Sequence, residues 1–185
     1  MNRLAPAVAR VREALADAFD RLDAWFDESA AVRGYRPADG GWTGDEILEH
    51  VSRTTYYLLI IIRRQAERAM RKARGGSQLS DDVAPNLDRL AVIADPMAFR
   101  WIRPDHMEPT GQVPSDEVRA LLREQRDECL ALLDTLRNGE GLLVTVSMSV
   151  NGLGKMDLYQ WLYFVAQHAK RHLVQLARNE ANFAD

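Results

Sequence analysis

"QWLYFVAQHAKRHLVQL", residues 160–176, is the stretch from which the rest of the chain is read. With Leu158 just ahead of it, apolar and imidazole side chains recur every three or four positions through Trp161, Val165, His168, His172 and Leu176. That period belongs to a helix with one face turned inward. His168 and His172 stand four residues apart, just over one helical turn, so both rings leave the same face. Such a pair has two explanations. Two neutral imidazoles can grip one ion, or two polar side chains can be hydrogen-bonded within a packed core.

Outward from this stretch the same period returns three times. Asp157 and Gln160 have capping-box spacing and mark the start of the last helix. A first helix is expected over residues 3–30, through Leu4, Val8, Val11, Leu15, Phe19, Leu22 and Phe26, before the punctuation of "RGYRPADGG". A second opens at "TGDEILEHV", where Thr43 and Glu46 again fit a capping box. It carries Ile47, His50, Val51, Thr54, Leu58 and Ile61 inward and runs to Arg74. A third begins at "PSDEV" with Ser115 as its N-cap, and turns Val118, Leu122, Gln125, Cys129, Leu132 and Leu136 inward. Four amphipathic helices predict an all-α four-helix bundle in a single domain, residues 1–185. The long connection 75–114 has room for a short helix at 86–94, and "GLLVTVSMSVNGLGK" (141–155) reads as extended with a glycine-rich turn.

Composition narrows the function. With 46% hydrophobic and 28% charged residues and a net charge of −3, the chain is an ordinary globular one whose field does not favour nucleic acid. The basic run "RRQAERAMRKAR" (63–74) complements the C-terminal dipole of its helix and lacks interleaved aromatics, so no nucleic-acid partner is expected. The longest apolar run, "YYLLIII" at 56–62, is too short to span a bilayer, and the charged N-terminus is unlike a signal peptide. A single cysteine, Cys129, excludes an internal disulfide and suits a reducing cytoplasm.

Of the four histidines, His50 falls between Ile47 and Thr54 on the inner stripe of the second helix, and only His106 lies off every stripe. A third inward imidazole on a neighbouring helix strengthens the metal reading, because bundle sites are built from facing side chains. The pair is not a zincin motif, since Ala169 stands where that motif has glutamate. Three imidazoles leave coordination positions open and suit zinc or nickel alike.

"WTGDEILEHV" (42–51), followed after a long gap by "LYQWLYFVAQHAKRHLVQL" (158–176), resembles the DinB/YfiT-like superfamily. Members carry a tryptophan-led helix start ending in a histidine, then two histidines four apart followed by Gln-Leu. The resemblance extends to "MEPTGQVPSDEV" before the third helix, and departs from the family at "VNGLGKM", where relatives often have "HP". It implies an up-down-down-up bundle and a divalent metal held by His50, His168 and His172. It also implies chemistry on a small-molecule substrate, by S-transfer from a low-molecular-weight thiol such as bacillithiol or mycothiol, or by a metal-dependent hydrolase mechanism. A non-enzymatic metalloprotein is the remaining alternative, and a homodimer is the expected assembly. Glu49 is a candidate base or outer partner of a metal ligand, and Arg171 or Lys170 a candidate to face an anionic substrate group, although a solvated helix glutamate and an exposed charged face are the plainer readings. Tyr56, Tyr57, Trp101 and Tyr163 are candidates for a pocket wall or for core, and His106 for a lid or a surface loop. Cys129, on an apolar stripe, reads as a buried and inert thiol.

Overall fold

Thr43 turns the chain into its longest helix. Its hydroxyl accepts the Glu46 N–H at 3.2 Å, and the Glu46 carboxylate accepts the Thr43 N–H at 2.9 Å, which completes the capping box. In the computed structural model, which describes residues 3–77, 83–98 and 104–184, this helix is α3, Gly44–Arg74. The other long helices are α1 (Leu4–Ala24), α4 (Ser115–Thr135) and α5 (Leu158–Ala184), with a short α2 (Ala30–Gly34) between the first two. A second capping box starts α5. The Asp157 carboxylate accepts the Gln160 N–H at 2.9 Å, and the Gln160 side-chain oxygen accepts the Asp157 N–H at 3.1 Å.

Local chemistry shifted three boundaries. The first helix stops at Ala24 and not at residue 30, because a 3-10 turn (Trp25–Asp27) follows and Ser29 then caps α2 by accepting the Val32 N–H. Ser115 is the first residue of α4 and not its cap. Pro114 takes the cap position with extended ψ, which frees the Ser115 hydroxyl to donate to Asp45 at 3.0 Å. The segment expected to be helical at 86–94 is a 3-10 helix, Asp88–Ala94, that buries Leu90 and Ile93. Before α5 the extended stretch folds back as a hairpin, β1 (Val146–Met148) antiparallel to β2 (Gly154–Met156), with Ser147 opposite Lys155. Gly152 and Gly154 adopt left-handed φ of 66° and 64° in its turn.

Among the described residues the fold is helical apart from this hairpin. Helix α1 packs on α5 and α4, and α3 packs on α5 and α4 from the other side. Helix α5 also carries the 3-10 helix 88–94. Surrounded in this way, α5 buries every residue from Leu158 to Ala169, which is why its sequence is apolar almost all round. Tyr159 is fully buried with its hydroxyl donating to Leu136 O, and Gly141 lies so close to the ring that a Cβ there would sit 2.8 Å from it. The basic end of α3 is used inside the fold. Arg63 pairs with Glu128 at 2.6 Å, and Lys72 donates to Leu143 O at 2.9 Å. Between α1 and α4, Arg119 and Arg123 both bind Asp23 and hold its carboxyl far below the usual range. No helix among the described residues is long and apolar enough to cross a membrane.

Candidate metal centre

Helix α3 delivers His50 and helix α5 delivers His168 and His172, all three buried. One ring nitrogen from each lies within 4.8 Å of the others. The Nε2 atoms of His168 and His172 face each other at 3.2 Å, and the His50 ring is edge-on to both, with centroids 5.4 and 4.8 Å away.

The tautomers follow from the partners on the far side of the rings. His50 Nδ1 donates to Met107 O at 2.7 Å, and His172 Nδ1 donates to Gln175 Oε1 at 3.0 Å. Each therefore turns an Nε2 lone pair toward the shared centre. Burial, and then the neighbouring His172 and His50, hold the His168 pKa well below its ordinary value, so that ring is neutral. The His168 and His172 Nε2 atoms lie within hydrogen-bond distance, so a single proton can be shared there, and a cation at the centre would take its place. A divalent ion that accepts nitrogen ligands, zinc or nickel among them, fits this donor set.

A cleft of about 800 Å³ opens onto the three histidines. Its walls include Trp42, Leu58, Met107, Met148, Trp161 and Phe164, with Arg171, Gln175 and Ser147 as polar points. No aspartate or glutamate is among the described residues that line it. Trp42 packs on the His50 ring at 4.7 Å between centroids, and its carbonyl accepts the Asn179 side-chain N–H at 2.8 Å.

The DinB superfamily matches residues 7–176. The chain belongs to that superfamily. No curated protein and no solved structure matches it. The three histidines of this DinB chain lie within the matched span, whereas Asn179 lies beyond it.

Other expectations for the DinB site were revised by the fold. Glu49 is not a solvated helix glutamate. It is 3% exposed, and its carboxylate accepts from Thr110 N, Thr110 Oγ1 and Gly111 N, each at 2.8 Å, with Arg53 at 3.7 Å. Both of its oxygens are engaged away from the cleft lining, so it is not placed as a base for the cleft. Arg171 is not on an exposed charged face either. It lines the cleft, donates to the carbonyls of Asp95 and Pro96, and burial lowers its pKa. Lys170 does face outward, toward Asp17 at 3.1 Å.

Tyr56, Tyr57 and Tyr163 do not line the cleft, and the position of Trp101 lies outside the described residues. Among the described residues the aromatic walls are Trp42, Trp161 and Phe164. His106 is an exposed turn residue packed on Tyr57 at 4.4 Å, outside the histidine cluster. Cys129 is buried and its thiol is pushed up to about 12, which makes it inert. The contribution that sequence reasoning missed is the segment 104–111. It reaches the site through a backbone carbonyl, an atom every residue has, so no side-chain pattern announces it.

Proposed function

We propose that this chain is a divalent-metal-dependent transferase that joins a low-molecular-weight thiol to a small electrophile. His50, His168 and His172 are the metal ligands in this reading. The single observation that carries it is the chemistry of the cleft. Three imidazole nitrogens converge beside it, and the described lining contains no carboxylate. A divalent ion held by these residues would supply acidity, lowering the pKa of a thiol bound beside it toward neutral pH. The hydrolase alternative would use the same three ligands, with a metal-bound water in place of the thiol.

The protein's own groups position the reactants. Gln175 and the Met107 carbonyl hold the outer nitrogens of His172 and His50, so their Nε2 atoms stay aimed at the centre. Trp42, Trp161 and Phe164 exclude water and hold an apolar substrate body. Among the described residues no fourth histidine, cysteine or carboxylate joins the cluster, which favours an open position over a closed structural site. The packing of α1, α3, α4 and α5 supports an up-down-down-up bundle in one domain, and we take the working form to be a cytoplasmic homodimer.

The test is elemental analysis of untagged protein, followed by thiol-conjugation assays with several low-molecular-weight thiols. The proteins to compare are the wild type and His168→Ala. Wild type should hold close to one divalent ion per chain and consume thiol with an electrophile, and the variant should do neither. Stoichiometric metal in the variant would remove the proposed ligand set.

A further inference from the structure

The residue beside His50 in sequence is tied to the segment 104–111. Glu49 is a buried carboxylate, and burying that charge is costly unless it is fully hydrogen-bonded. Three donors satisfy it, and all belong to Thr110 and Gly111, about sixty positions later in the chain. Three residues before Thr110 is Met107, whose carbonyl accepts His50 Nδ1 at 2.7 Å. Arg53, one turn further along α3, donates to the carbonyl of His106, the residue before Met107, at 3.0 Å. The segment 104–111 is thus strapped along one turn of α3 by Glu49, His50 and Arg53. Gly111 takes part with a left-handed φ of 67°, a conformation that lets its N–H turn back to the carboxylate.

We propose that Glu49 is a positioning residue for the metal centre. Its carboxylate anchors the strap so that the Met107 carbonyl fixes the Nδ1–H tautomer of His50 and aims Nε2 at the shared centre. The carboxylate touches neither substrate nor ion. It acts through a backbone carbonyl, as the outer partners of ligating histidines do. This inference rests on the metal reading for its consequence, but its geometric part concerns the metal-free protein alone.

The two parts are tested separately with Glu49→Gln, which keeps the side-chain shape and replaces one acceptor oxygen by a donor. Nitrogen-15 NMR of the histidine rings in metal-free protein, near pH 8 where free imidazole is neutral, reads the tautomers directly. Wild type should show His50 protonated at Nδ1. The variant should show it exchanging between Nδ1 and Nε2, while His172, held by Gln175, stays as it was. Zinc competition titrations should show affinity about ten- to hundredfold weaker in the variant.

An unchanged His50 tautomer in folded Glu49→Gln would overturn the proposal, as would equal disturbance of His50 and His172, which signals general loosening. If that variant does not fold, Thr110→Val removes only the hydroxyl donor. A His50 tautomer unaltered there, with unaltered zinc affinity, would count against the proposal in the same way. Failure of wild type to bind zinc would remove the metal reading and leave the tautomer result standing.

Discussion

At Asp157 a carboxylate caps α5 from a buried position, and burial pushes its pKa from 3.8 up to about 6. The folded protein therefore holds that proton more tightly than the unfolded chain does. The contribution to stability is fully present below about pH 4 and is lost as pH rises through about 6. At neutral pH the ionised group costs on the order of 2 to 3 kcal/mol. Asparagine can accept the same Gln160 N–H without a charge. Asp157→Asn should thus gain on wild type as pH rises from 4 to 7, with the two converging near pH 4. Urea unfolding midpoints across that range measure the difference, and parallel profiles would contradict it. At this scale the sequence was legible where a side chain does the work. The Asp157–Gln160 and Thr43–Glu46 spacings announced their caps, and the period announced the inward faces of His50, His168 and His172. Glu49 was misread because the donors that bury it come from a distant segment that no local pattern connects to it.

Among the elements, the turn before the hairpin meets α5 at one point with no room to spare. A Cβ on Gly141 would lie 2.8 and 2.9 Å from two atoms of the Tyr159 ring. That ring is fully buried and pinned through its hydroxyl to Leu136 O, so it cannot give way. Gly141→Ala should cost about 1–3 kcal/mol through overpacking. Gly34→Ala, at the end of α2 with nothing within 4 Å, should be close to neutral. Chemical denaturation of the two variants beside wild type checks the contrast, and equal midpoints would refute the steric argument. Helix α3 was readable nearly to the residue and α5 at its start, since cap and period agreed, whereas α5 runs on to Ala184, past the stripe that ends at Leu176. The early end of α1 was not, because Phe26 continues the apolar spacing into a 3-10 turn that differs from an α-helix only in its hydrogen bonds. The cleft walls were missed for a related reason. Periodicity says that a residue faces inward, but not whether another side chain or open space meets it there. Trp161 and Phe164 on α5 line the cleft, while Tyr163 of the same helix packs beneath Arg10 at 5.3 Å.

For the whole molecule, an ion held by His50 and by the α5 pair joins helices that are far apart in sequence. Because this donor set exists only in the folded chain, binding must stabilise it, by about 2.7 kcal/mol at a free ion concentration a hundred times the Kd. Thermal melts of chelator-stripped protein should shift upward on adding zinc or nickel and return with chelator. His168→Ala should show no such shift, and an equal one would place the stabilising ion elsewhere. The cleft draws on a still wider part of the chain than the ligands do. Asn179, past the end of the family match, reaches back across most of the sequence to the carbonyl of Trp42, the tryptophan that packs on His50. The ligands and the brace on that wall are therefore carried by different stretches of chain. A change at Asn179 can thus reshape the Trp42 wall, and with it what the cleft admits, without touching any of the three histidines.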